Sequence, residues 1–160
     1  MATPIRRVVT GNTPEGKAVF TSDQEFVPQI IPSGDAEFSL LWTTASVPAD
    51  LNDTTDGRER EAGTTLHGGS VIRVVDMLPG ASSPFHRSAS IDYGIVISGE
   101  IELELDDNEV ITIYPGVVIV QQGTIHLWRN PSSTKKCRII FILTEAKPFE
   151  VEGKPLEDIM

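Results

Sequence analysis

Residues 80–99 read G-A-S-S-P-F-H-R-S-A-S-I-D-Y-G-I-V-I-S-G, and residues 115–130 read P-G-V-V-I-V-Q-Q-G-T-I-H-L-W-R-N. Each is a short apolar run bounded by turn residues, the pattern of strands rather than helices. In the first, Gly80, His86, Ser88, Asp92 and Gly99 mark fixed spacings; in the second, Gly116, Gly123, His126 and Asn130 do. On a strand, residues 86 and 88 share a face. The run 93–98 is nearly all apolar and is expected to be buried on both faces. Working outward, Gly99-Glu100 turns the chain. Ile101, Leu103 and Leu105 then alternate with Glu100, Glu102, Glu104 and Asp106, giving one apolar and one wet face. Asp107-Asn108 is a hairpin signal. Strands are predicted over 109–114, 117–121, 126–129 and, after a polar loop at 131–136, over 137–144.

Toward the N-terminus, 70–78 is a strand candidate stopped by Pro79-Gly80, and 17–21 and 37–44 read as further strands. Turn signals recur at the spacing of an all-β sandwich or barrel, with little helix. Residues 48–69, rich in Asp, Thr, Gly and Arg, read as a long exposed loop, of the kind that serves as a lid or partner contact or is plain surface. Residues 147–160 are polar with two prolines and read as an arm or a frayed end. The organisation expected is one domain: N-terminal strands and loop over 1–69, a barrel core over 70–146, and a tail over 147–160.

The chain of 160 residues is 39% apolar and 22% charged, with a formal net charge of −10. Its sequence pI is about 4.6. That balance argues against nucleic acid and anionic membrane as partners, since phosphate binding needs a basic face. No window is apolar enough to span a bilayer, and residues 1–7 lack the apolar run of a secretory signal. The expectation is a soluble, cytoplasmic protein. The single cysteine, Cys137, opens an apolar run and reads as a buried structural thiol.

The two quoted stretches resemble the two signature motifs of the cupin superfamily. The first is usually G-x5-H-x-H-x3,4-E-x6-G; Gly80, His86, Ser88, Asp92 and Gly99 fall on that spacing, with Ser for the second His and Asp for Glu. The second usually ends P-x-G-x2-H-x3-N; Gly123, His126 and Asn130 match, the interval from Gly116 is one residue short, and Gln121 or Gln122 replaces the proline. The match runs over about 70–144. The openings at 6–11 and 16–20 also look like a small single-domain subgroup found beside fungal and bacterial biosynthetic genes. The resemblance implies a double-stranded β-helix, a jelly-roll barrel, with its site inside the barrel mouth. It implies a small-molecule substrate and, commonly, a homodimer.

In a standard cupin the motifs supply three histidines and a glutamate to one divalent metal. By resemblance, His86, Asp92 and His126 remain as ligand candidates, with His126 facing residues 86 and 88 across the barrel. Two imidazoles and a carboxylate are the composition of non-haem iron sites. With Ser88 in an imidazole's place, any iron, manganese or zinc is expected to be weakly held. Alternatively no metal is required, and His86 and His126 act as base and acid with Asp92 orienting one of them. The leading expectation is an enzyme doing acid/base chemistry on a carbonyl-containing metabolite, polyketide-like or an aromatic acid: dehydration, isomerisation or decarboxylation. A metal-dependent oxygenase or oxidoreductase and a non-catalytic small-ligand binder are the alternatives. Ser88 and Trp128 are the candidate substrate contacts, Trp128 reading equally as core. His67, outside both motifs, reads as a surface histidine.

Overall fold

Alternating apolar residues close two β-sheets on one core. The computed structural model describes residues 2–160 and has no α-helix among them, only single 3-10 turns at Gly57–Glu59 and Asp106–Asn108. Strands are numbered β1 to β13 along the chain. The larger sheet runs β3 (Gln29–Ile30), β4 (Ala36–Thr44), β5 (Ser70–Met77), β11 (Cys137–Glu145), β6 (Ser90–Ser98), β9 (Val118–Gln122), all pairs antiparallel. The smaller runs β10 (Leu127–Arg129), β7 (Ile101–Glu104), β8 (Val110–Ile113). Val75, Met77, Val96, Ile119 and Ile139 from the first pack with Ile101, Leu103, Ile113 and Trp128 from the second. This is the double-stranded β-helix. Hairpins β1–β2 (Ile5–Asn12, Ala18–Phe26) and β12–β13 (Glu150–Val151, Lys154–Pro155) flank it.

Turn chemistry sets the corners. Asp107 and Asn108 both take positive φ, 58° and 59°, at the predicted hairpin. Gly99 sits at φ 77°, and a Cβ there would lie 2.5 Å from the Lys136 carbonyl oxygen, so only glycine fits. Cys137 is fully buried, and burial pushes its thiol up to about 12, as befits core rather than nucleophile.

Two expectations are corrected. The run 93–98 is not buried on both faces: Tyr93 and Ile97 are 43% and 47% exposed while Gly94 and Val96 are buried. Only the inner face of β6 meets the second sheet. Of the two readings of the tail, an arm or a frayed end, the structure shows an exposed arm whose end is docked. Arg87 and Ile159 exchange both backbone hydrogen bonds, at 2.8 and 2.9 Å, and the Ala89 N–H donates to Asp158 Oδ1 at 2.8 Å. The 48–69 loop is exposed or half-buried over most of its length and is tethered at its middle: Arg7 holds Asp56 through two hydrogen bonds of 2.7 Å, and Gly57 is buried. Residues before 70 also build the barrel wall, since β3 and β4 extend the larger sheet beside β5. No helix among the described residues is long and apolar enough to cross a membrane.

Candidate functional site

After β5 the chain turns at Gly80 and runs beside β10. Ser83 N–H donates to the Trp128 carbonyl at 2.9 Å, and His86 and His126 exchange both backbone hydrogen bonds at 3.0 Å. The two histidines are therefore directly opposed cross-strand neighbours with side chains on one face. This corrects the expectation that His126 faces His86 across the barrel. Their ring centroids are 4.2 Å apart, tilted by 52°.

The tautomers follow from the partners. His86 Nδ1 lies 2.9 Å from the Pro84 carbonyl oxygen, and His126 Nδ1 lies 2.9 Å from that of Thr124. A carbonyl oxygen only accepts, so each Nδ1 carries the hydrogen and each Nε2 keeps a free lone pair. His126 is buried, and burial pushes its pKa down to about 4, so its ring is neutral at neutral pH.

Asp92, buried on the inner face of β6, accepts a hydrogen bond of 2.6 Å from the Ser90 hydroxyl. Burial raises its pKa above the ordinary carboxylate value, opposed by that hydrogen bond and by attraction to His86 and Arg73. Asp92 holds neither ring. The orienting role expected of it belongs to the Pro84 and Thr124 carbonyls.

His86, Ser88, Asp92, His126 and Trp128 all line one cavity of about 310 Å³. Trp128 is both core and wall: it is buried and stands edge-on to His126 at 5.6 Å. The other walls are mainly apolar, among them Phe38, Val75, Met77 and Phe141. Thr64 brings the 48–69 loop to the cavity, and Met160 brings the tail. Sequence reasoning missed Arg73, the one arginine on the cavity wall among the described residues. His67 lies outside the cavity, exposed and paired with Glu145 at 2.9 Å. Glu145 raises the His67 pKa by hydrogen bonding and charge.

Among the described residues no group of three or more His, Cys, Asp or Glu side chains converges as ligands. Two imidazoles with free Nε2 stand together, but Ser88 offers a hydroxyl where a third would complete the set. What the arrangement can do with its own residues is hold a small, largely apolar molecule against two imidazoles with free Nε2 lone pairs and a buried carboxyl group.

The family model described as "Cupin domain" matches residues 73–143. The chain is 42% identical over 157 residues to phomopsin biosynthesis cluster protein C' of Diaporthe leptostromiformis, covering 94% of this chain and 83% of that protein. Oryzines biosynthesis cluster protein J of Aspergillus oryzae is 36% identical over 159 residues, covering 95% and 89%. The cupin-domain-containing oxidoreductase fogC of Aspergillus ruber is 35% identical over 157 residues, covering 94% and 77%. Among solved structures, a putative ethanolamine utilization protein Q from Salmonella typhimurium superposes with a TM-score of 0.51 at 12% identity, covering 90% of this chain and 98% of that one, a likeness of fold alone.

Proposed function

The chain belongs to the cupin family, and on that premise we propose that it moves protons on a small carbonyl compound held in the barrel, catalysing a dehydration, isomerisation or decarboxylation. The observation that carries this reading is the His86–His126 pair: two opposed imidazoles, both tautomers fixed by main-chain carbonyls, in one largely apolar cavity. The relatives named for phomopsin and oryzines clusters support a place in secondary metabolism.

His126 is the base. It is neutral, its Nε2 lone pair is free, and the Thr124 carbonyl stabilises the imidazolium that forms when Nε2 takes a proton. A proton leaves the carbon next to the substrate carbonyl and its electron pair becomes the enolate. His86, less buried than His126, takes a proton from solvent at its free Nε2 and gives it up: to a different carbon in an isomerisation, or to a departing hydroxyl, which leaves as water, in a dehydration; the proton held by His126 then returns to solvent and both rings are reset. In a decarboxylation carbon dioxide leaves first and the carbanion takes the proton. None of these steps changes the oxidation state of the system. Asp92 and the apolar walls keep the developing charge away from bulk water.

The test is exchange in D2O. Metal-free protein is incubated with β-keto acids and β-hydroxy ketones, and deuterium uptake next to the carbonyl is followed by NMR. The expected result is catalysed exchange that falls by roughly 10²–10⁴-fold in His86→Ala and in His126→Ala, the usual share of acid/base catalysis. If both variants melt normally and keep full activity, the assignment is wrong. If activity instead requires a full equivalent of tightly held iron, manganese or zinc, the metal-dependent reading fits better, as the oxidoreductase names of several relatives would have it.

A further inference from the structure

We propose that Arg73 is the anion-recognition residue of the cavity, and that the natural ligand carries a carboxylate on an apolar or aromatic body. This rests on the cavity being the ligand site, as in the reading above, and adds which charge the ligand bears.

Arg73 lies on β5 in register with Phe141 of β11, and both line the cavity. Among the described residues no other arginine or lysine does. Arg73 is half-buried, and a guanidinium cannot escape its charge by losing a proton, so whatever part of it is withdrawn from water needs a counter-charge or a full set of acceptors. Arg73 has neither. Among the described residues no carboxylate lies within ion-pair distance of it. Its Nη2 donates to the Gly63 and Thr64 carbonyls, which fixes the plane of the group. Its Nε is buried with no partner at all. Arg7, by contrast, is answered by Asp56 and Arg138 by Asp76, each through paired hydrogen bonds of 2.6–2.7 Å.

Asp92 faces the same cavity but is not paired with Arg73. Burial works against charge on both groups, and each attracts the other by charge without forming an ion pair. A ligand carboxylate would supply the missing acceptor in the two-pronged geometry guanidinium favours. Phe38, Val75, Met77 and Phe141 around it leave room for an apolar body, with the Arg73 guanidinium 5.7 Å from the Phe38 ring centre. The arginine would hold one end of the molecule while the histidines address the rest.

The test is a matched binding series: benzoate, 2-naphthoate and hexanoate, each against its primary amide, measured by calorimetry on wild type, Arg73→Met and Arg73→Lys. For at least one pair, wild type should prefer the acid by about tenfold or more, since charge-assisted paired hydrogen bonds are the strong ones. Arg73→Met should erase the preference while leaving amide affinity unchanged. Arg73→Lys should keep part of it. Amides binding as well as acids throughout, or no saturable acid binding at all, overturns the proposal. So does Arg73→Met weakening acid and amide equally, which would mean that Arg73 only ties down residues 63–64. His86→Ala and His126→Ala keep the acid preference in every case, so failure of the acid/base reading shows separately, in the exchange assay. Melting curves establish that each variant is folded; if Arg73→Met is not, Arg73→Lys and the acid/amide ratio of wild type still decide.

Discussion

An imidazole whose Nδ1–H is fixed by a main-chain carbonyl offers a single lone pair of defined direction, equally suited to receiving a proton and to binding a metal. His86 and His126 both have this arrangement, and Ser88 is the residue we expect to separate the two chemistries. It lies on the same cavity and two positions from His86, with a hydroxyl too weak to serve as a third strong donor. Ser88→His is therefore expected to raise affinity for Co(II) or Zn(II) by about tenfold or more, the scale on which ligand-sphere changes act. The visible spectrum of the Co(II) form and calorimetry would read it. Wild-type protein that keeps a full equivalent of metal through prolonged dialysis against chelator would contradict this. His86, Ser88 and His126 were legible in the sequence because their spacing from the turn glycines marks them. Arg73 was not. In 70–77 the residues at 71, 73, 75 and 77 and those at 72, 74 and 76 are two apolar rows with one charge each. Only closure of the barrel shows that Arg73 faces the cavity and Asp76 faces Arg138.

Elements are joined at corners, and one corner is held by a side chain that the motif spacing marks without explaining. Asn130 follows β10 and is 1% exposed. Its Nδ2 donates to the Met77 carbonyl at 3.1 Å and the Lys135 carbonyl at 2.8 Å, and its Oδ1 accepts from Ser132 N–H at 3.0 Å. It thereby ties the end of β5, the 131–136 loop and the entry to β11 together. Asn130→Ala would leave buried backbone groups without partners, each costing about 1–3 kcal/mol. We expect a loss of about 2–4 kcal/mol in urea unfolding with ligand affinity retained in the folded fraction. An unchanged midpoint would mean that water replaces all three contacts. Strand positions were readable at this scale because alternation and turn residues are local. The docking of residues 158–159 on Arg87 and Ala89 was not, because it depends on a contact across about half the chain.

The whole molecule carries a pH dependence that a count of its charges does not reveal. With a formal net charge of −10, its surface carboxylates will shape any acid transition. His126 adds a distinct component. Its folded pKa is about 4, while in the unfolded chain it returns to about 6.5. Between those values the unfolded state binds a proton that the folded state refuses, so stability rises with pH across that window. The contribution is complete above pH 6.5 and is lost progressively as pH falls toward 4, to the extent of about 3 kcal/mol. Asp92 works in the opposite sense. Its folded pKa is raised, so its contribution is complete below the unfolded carboxylate value and fades as pH rises through the folded one. The informative quantity is the difference between wild type and His126→Gln, in which the surface carboxylates cancel. Wild type should lose stability relative to the variant as pH is lowered from 7.5 to 4, by chemical denaturation at fixed temperature. A difference that stays constant over that range would show that His126 takes up its proton in the folded barrel as readily as in water. It would then no longer be a neutral base poised beside His86, and the proton-transfer reading would need another base.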